Sequence, residues 1–538
     1  MTKSIEKLVS SSDTKFSAEM IGFDINDINL ITSNALFASL DVAGKNEIYK
    51  RDILDALSSR GILADDPRIQ ETIQKLKELK DNDPINSALF HDIIYRNITL
   101  IERALKGDLI IPDFRSFSNV VTDIFESSKG NMGGHVADYI PQLARVNPNY
   151  YALSICTVDG QRLNIGNTTI PYCVQSTCKP INYCIALEDS GEDTTHNHVG
   201  REPSGRGFNE LTLNKDGRPH NPMINAGAIM TSALVQPKLN VSDRFDHVLD
   251  KWQMLTGGRR PGFNNAVYLS EKQTADRNFA LGYFMRENNA FPEGTDLHEI
   301  LEFYFQCCSI ELTCSDHANV AGTLANAGIC PITRERVFSA ETTKNCLSLM
   351  YSCGMYDFSG EFAFSVGLPA KSGVSGSLVL VVPGVCGITI WSPNLDEYGN
   401  SVRAVEIAQK LVQNFNFHNY DSLIENMAKN DPRLQKNEDK LKGVMVANFA
   451  ASQGDLNEIK SLEAKGIDLN EADYDGRTPI HLAASEGHLN IIEYFIARGL
   501  DLNPEDRWGG TPLEDAKRHD HKQIVTLLQK KMKGGKSS

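Results

Sequence analysis

The sequence predicts an α+β protein, a mixed body flanked by helical stretches on both sides, and three observations carry that prediction. Apolar residues recur at helical spacing, with little strand character, from about residue 20 to about residue 110. Two hairpin signals, at Asp159-Gly160 and Pro383-Gly384, bracket a region of long apolar-periodic helices. Beyond residue 443 the chain repeats itself at an offset of 33 residues.

In the N-terminal stretch, 1–110, Leu36, Phe37, Leu40, Ile53, Leu54 and Leu57 form one apolar face, and Ile69, Ile73, Leu76 and Leu79 form another. A helical domain follows from that spacing. The segment from Asp41 to Asp52 has the length and central isoleucine, Ile48, of an EF-hand loop. Calcium is not expected there, because the third, fifth and sixth loop positions hold Ala43, Lys45 and Asn46 in place of two oxygen ligands and a glycine.

The body, 111–425, contains the two hairpins, with strands expected over 151–158 and 161–165, and over 378–382 and 385–391. Helices are expected at 180–188 and 297–308, which makes an antiparallel sheet with a helical subdomain. The longest apolar stretch, 377–391, is broken by Pro383, Gly384 and Gly387 and reads as two buried strands, not a membrane span. Residues 200–222 are too polar for a core element and read as a long loop. A linker is expected over 426–443. The repeat, 444–530, sets AASQG at 450–454 against AASEG at 483–487, and its TPIHLA at 478–483 matches the T-P-L-H-x-A pattern of ankyrin repeats, each a turn and two helices. His481 is expected to be the bonded turn histidine of that pattern. The last stretch, 531–538, with Lys530 before it, reads as a solvated basic tail.

Composition narrows the function classes. With 54 basic and 69 acidic side chains the net charge is −15, which repels phosphate backbones and anionic lipid, so neither a nucleic acid nor a membrane is expected as partner. Eleven cysteines all lie between Cys156 and Cys386 without a Cys-x-x-Cys pair or zinc spacing, as in a reduced, intracellular protein with no metal. Residues 1–20 lack an apolar run and an arginine and carry Glu6, Asp13 and Glu19, which as given addresses the cytosol.

The sharpest chemical signal is Gln175-Ser176-Thr177-Cys178-Lys179-Pro180, at the start of an apolar helix. A serine with a lysine three residues on places hydroxyl and amine on one face. A lysine titrating near 10.4 must be desolvated to take the serine proton at neutral pH. S-x-x-K alone is common. A second element, Lys371-Ser372-Gly373 ahead of the apolar strand, stands where serine β-lactamases and penicillin-binding proteins place K-T-G, and the backbone N–H groups of Ser176 and Val374 would then form an oxyanion hole. No Ser-Asp-Asn motif lies between them, while Gly354-Met355-Tyr356-Asp357 offers a phenol as proton relay.

Together with VADYIPQL at 136–143, HNPMINAGA at 220–228 and MYDFSG at 355–360, these motifs resemble the serine-dependent, β-lactamase-like glutaminases. The animal kidney and liver type has the same order of EF-hand-like region, catalytic domain and ankyrin repeats. The resemblance implies that Ser176 attacks the side-chain amide of L-glutamine, with Lys179 as base, Tyr356 as relay and Tyr139 positioning serine and substrate. It further implies that Asn225, Glu271, Asn278 and Tyr304 hold the amino-acid head, with Gln175 and the Val374 backbone completing the pocket. An anionic Glu271 suits the α-ammonium, and amide and phenol donors suit the α-carboxylate. No cofactor is required for acyl transfer of this kind. A homotetramer built from dimers, a mitochondrial location and activation by inorganic phosphate are implied as well, although Gly207, Glu210 and Thr212 depart from the bulky apolar and basic side chains of phosphate-activated relatives. A protein partner would occupy the ankyrin face. The alternative is an ankyrin scaffold whose body is inactive or hydrolyses a different acyl substrate.

Overall fold

The periodic apolar residues of the N-terminal stretch wind into the helices Ile25–Leu40, Lys50–Ser58, Gln70–Glu78, Ser87–Ile94 and Ile98–Lys106. Both expected faces turn inward: Leu36, Phe37, Ile53, Leu57, Ile69, Ile73 and Leu76 are buried, with Leu40, Leu54 and Leu79 packed at the rim. Ile48 and Ile85 bridge two of the loops as an antiparallel pair. The Asp41 carboxylate accepts the backbone N–H groups of Lys45 (3.1 Å) and Asn46 (2.6 Å), so hydrogen bonds close the loop. The computed structural model describes residues 25–41, 44–205, 207, 210–423, 429–434, 436–464 and 467–534. The targeting expectation at 1–20, the loop position Ala43 and the end of the basic tail lie outside the described residues.

The chain divides into two compact units between Val412 and Gln413, so the N-terminal helices share a unit with the body. An arginine fastens them to it. Arg68 donates to the backbone oxygens of Asp159 (2.5 Å) and Gly160 (2.8 Å), and Asp66 holds the same guanidinium at 2.7 Å. Gln161 donates to the carbonyls of Arg60 and Ile111, both at 3.0 Å.

In the body, β1 (Ala152–Thr157) and β2 (Arg162–Gly166) form the first hairpin, and β7 (Ser377–Val382) and β8 (Cys386–Trp391) the second. The two meet at the middle of one antiparallel sheet, which a short edge strand β6 (Ala370–Gly373) completes in the order β2-β1-β8-β7-β6, with Ala152 opposite Trp391. The Lys371-Ser372-Gly373 segment, expected as a strand entry, is itself part of that edge strand. Three short strands, β3 (Tyr172–Cys173), β4 (Gly262–Phe263) and β5 (Ile310–Leu312), make a second sheet in the order β3-β5-β4. The helix Cys314–Ala325 lies on the large sheet, and a Cβ at Gly387 would sit 2.1 Å from the backbone of Ala321, a contact only glycine permits. Residues 200–222 contain no helix or strand among the described residues. No helix among them is long and apolar enough to cross a membrane.

The second unit carries helix pairs: Lys436–Gln453 with Leu456–Ala464, Pro479–Glu486 with Leu489–Arg498, and Pro512–Arg518 with Lys522–Gly534. Residues 436–443, expected within a linker, are instead the opening of a helix. The lysines and acids that suggested a solvated connection are also good helix formers. His481 is fully buried with both ring nitrogens engaged, Nδ1 by Thr478 and Nε2 by Gly510 O at 3.2 Å, as its motif requires.

Candidate active site

After β3 a single 3-10 turn, Gln175–Thr177, leads into the helix Cys178–Ser190. Ser176 stands in the turn and Lys179 on the first helical turn, and the three-residue step brings Lys179 Nζ to 2.9 Å from Ser176 Oγ. Pro180 fits there because first-turn N–H groups have no partner within a helix. Lys179 is fully buried, and its Nζ also donates to Asn225 Oδ1 at 2.6 Å, from the first residue of the helix Asn225–Leu234. Tyr304, on the helix Leu297–Cys308, donates to the same oxygen at 3.3 Å. Burial pulls Lys179 below the usual lysine range, with the neighbouring Cys308, Cys178 and Glu271 opposing it. A depressed amine is what a lysine base needs.

A carboxylate stands beside this chain. Glu271, buried on the helix Asn265–Gln273, accepts Tyr139 OH at 2.6 Å and Gln175 Nε2 at 3.1 Å, both on Oε1. Burial raises its carboxyl above the ordinary range, and those two bonds and the Lys179 charge counter it. A ligand ammonium would restore the anion.

Tyr356 lies in the 3-10 turn Tyr356–Phe358 that follows the helix Ala340–Cys353. Burial pushes its phenol up, and the Ser176 hydroxyl near it holds part of that shift back. Lys371, fully buried on β6, places Nζ 4.5 Å from the Tyr356 ring centroid and donates to Ser372 O (2.7 Å) and Gly354 O (3.2 Å). Desolvation drives Lys371 well below the lysine range, and the Lys179 charge adds to it. A Cβ on Gly354 would fall 1.7 Å from Ala370 O, so glycine alone lets β6 come this close. Gln175 (φ +50°) and Tyr356 (φ +54°) both adopt the left-handed region, costing roughly 1–3 kcal/mol each. Such strain gathers where the surrounding structure holds a functional geometry. Tyr356 also lines a cavity of about 430 Å³ together with the loop residues Pro203, Ser204, Gly205 and Gly207. Val374 lies against Cys173 and Val267 in a smaller apolar cluster.

Ser176, Lys179, Asn225, Tyr304, Gln175, Glu271, Tyr139 and Tyr356 therefore converge. Tyr139, expected to position serine and substrate, reaches Glu271 with its hydroxyl. Asn278, on the helix Asp276–Glu287, has a buried side-chain oxygen without a hydrogen bond among the described residues. Two features escaped the sequence reading. Asn225 grips the lysine amine itself, and Lys371 props the ring of Tyr356. Neither grip has a spacing signature, since each joins segments far apart in the chain. Among the described residues no group of three or more His, Cys, Asp or Glu side chains is placed to hold a metal ion.

Comparison with known proteins bears on this arrangement. A family model described as Glutaminase matches residues 134–420, one described as EF-hand domain matches 32–112, and one described as ankyrin repeats (3 copies) matches 407–536. The chain is similar to the glutaminase liver isoform, mitochondrial, of Rattus norvegicus, 46% identical over 441 residues that cover 81% of this chain and 73% of that one. Putative glutaminase 2 of Caenorhabditis elegans is 45% identical over 467 residues, 84% of this chain and 77% of that one. A solved structure titled a probable glutaminase superposes with a TM-score of 0.52 at 34% identity, over 55% of this chain and 96% of that one.

Proposed function

The chain belongs to the glutaminase family and hydrolyses L-glutamine to L-glutamate and ammonia, and from that premise we propose that it does so through an ester on Ser176. Ser176 Oγ attacks the side-chain amide carbon while its proton passes to the neutral Lys179 amine. The oxygen that becomes negative is met by backbone N–H groups at the serine turn and at Val374. Tyr356, whose buried phenol lies near Ser176, relays the proton from Lys179 to the departing nitrogen, and ammonia leaves. Water then attacks the ester, the same groups take its proton, and glutamate is released as Ser176 regains its hydrogen.

The observation that carries this reading is the buried amine of Lys179, 2.9 Å from Ser176 Oγ. The proposal has Glu271, held by Tyr139 and Gln175, take the substrate α-ammonium, and Asn278 and Tyr304 the rest of the head group, which turns the amide toward the serine. Ammonia and glutamate release by wild type and Ser176→Ala tests the mechanism. Loss of both products in the variant is expected, and undiminished release would remove Ser176 from the reaction.

The family resemblance extends the proposal to a homotetramer, to activation by inorganic phosphate, and to a mitochondrial compartment, which is named in the rodent relative. It also assigns 1–110, 111–425 and 444–530 to EF-hand-like, catalytic and ankyrin domains, the last with a protein partner. Light scattering and initial rates with and without phosphate test assembly and activation, and imaging of the full-length protein tests location.

A further inference from the structure

The serine motif holds a cysteine between Thr177 and Lys179, and the fold brings a second cysteine against it. Cys178 opens the serine helix, and Cys308 closes the helix that carries Tyr304. Their Sγ atoms lie 3.9 Å apart, both buried. A disulfide needs about 2.05 Å, so closure asks roughly 1 Å of each sulfur. Both residues sit at helix ends, where the hydrogen-bond ladder constrains the backbone least. All eleven cysteines are buried and without a disulfide, yet this pair has one member covalently adjacent to the lysine base.

We propose that Cys178 and Cys308 are a reversible dithiol–disulfide pair beneath the active site, closed by hydrogen peroxide, and that closure disables the Ser176–Lys179 dyad. One sulfur, as thiolate, takes an oxygen from peroxide and becomes a sulfenic acid while water forms. The second sulfur attacks the first, the S–S bond forms, and the sulfenic oxygen leaves as water. Two thiols thus lose two protons and two electrons, and one peroxide becomes two waters. The hydrogen bond between the thiols and their burial push the Cys308 thiol well above its ordinary range. Both sulfurs are buried, so a small, uncharged oxidant reaches them before a bulky one.

The link to activity is geometric and rests on the catalytic reading of Ser176 and Lys179. Cys178 precedes Lys179 in the chain, and Cys308 lies one helical turn beyond Tyr304, on the same face. Tyr304 and Lys179 share the Asn225 oxygen, at 3.3 and 2.6 Å. Drawing the two helix ends together moves both groups relative to Ser176, and a general base shifted out of hydrogen-bond reach no longer takes the proton.

Reduced full-length protein is treated with hydrogen peroxide, quenched with catalase, assayed for glutamate release, and mapped by mass spectrometry after thiol blocking. A peptide cross-linked between Cys178 and Cys308 is expected, with activity falling at least about tenfold in step with it and returning on dithiothreitol. Cys178→Ser and Cys308→Ser should each keep basal activity and hold it through the treatment. Inactivation without that cross-link, or a cross-link confined to other cysteines, overturns the pair. A complete Cys178–Cys308 cross-link with undiminished activity overturns the inactivation step alone and leaves the disulfide standing, so the two halves fail separately.

Discussion

Asn225 Oδ1 holds the Lys179 amine at 2.6 Å, closer than the 2.9 Å between that amine and Ser176 Oγ. An amide oxygen only accepts, so one N–H of the lysine is committed to Asn225. In a neutral amine that commitment fixes rotation about the last carbon–nitrogen bond and lets the lone pair face the serine. In the proposed mechanism Asn225 thereby orients the base. Replacing it by aspartate installs a charge that favours the ammonium. Asn225→Asp is therefore expected to lose activity at neutral pH by about tenfold or more and to recover part of it in alkali. An unchanged pH–rate profile would disconnect Asn225 from the lysine.

Lys179 itself sets the acid limb of that profile. In the proposed mechanism the base works only when deprotonated, and burial lowers its titration below the lysine value of 10.5. kcat/KM should accordingly rise with pH through a midpoint below 10.5, because the free enzyme loses the inhibitory proton there. Lys179→Arg, which stays charged, should abolish the limb together with the activity.

The Glu271 carboxylate gives a separable prediction. Tyr139→Phe removes a 2.6 Å hydrogen bond to Oε1, a charge-assisted interaction of about 1.5–3 kcal/mol. On the proposed binding of the substrate ammonium by Glu271, the loss should appear in kcat/KM, about tenfold to a hundredfold. Glu271→Gln should cost more, since the charge itself is gone. Steady-state kinetics on glutamine checks both.

Gly354→Ala should be a stability mutant before it is a catalytic one. The new Cβ would meet the Ala370 carbonyl at 1.7 Å, which backbone must yield to accommodate. Overpacking of this kind costs about 1–3 kcal/mol or more, visible as a lower thermal midpoint. Displacement of β6 would also carry Lys371 away from Tyr356.

His317 makes the first unit acid-sensitive. It is 1% exposed, and burial holds its titration down at about 3 from 6.5. Between those values the unfolded chain binds the proton and the folded one does not, so stability is complete above pH 6.5 and declines as pH falls toward 3. The slope is about 1.4 kcal/mol per pH unit, or about 2 kcal/mol lost by pH 5. Denaturant midpoints followed by the fluorescence of Trp252 and Trp391, which flank His317 and its partner Tyr172, should show this slope reduced in His317→Gln.

What was legible in the sequence was local. The Ser176–Lys179 step, the hairpin turns at Gly160 and Gly384 and the 33-residue repeat each express a period or a turn chemistry within a few residues. Pairing of β1 with β8 has no such signature, because it joins segments at opposite ends of the body. The strand identity of Lys371 depends on that sheet, and the left-handed Gln175 and Tyr356 depend on the packing around them. Residues 436–443 misled for the opposite reason: a charged helix start and a solvated linker share one composition.

The seam between β1 and β8 also orders events in time. Ala152 meets its partner only when Trp391 has been synthesised, so on the ribosome the first hairpin must wait with one edge unpaired while the whole helical subdomain emerges. Long-range strand pairing of this kind folds slowly and leaves an aggregation-prone edge in the interval. A premature stop before residue 386 would leave a sheet that cannot be closed at its centre.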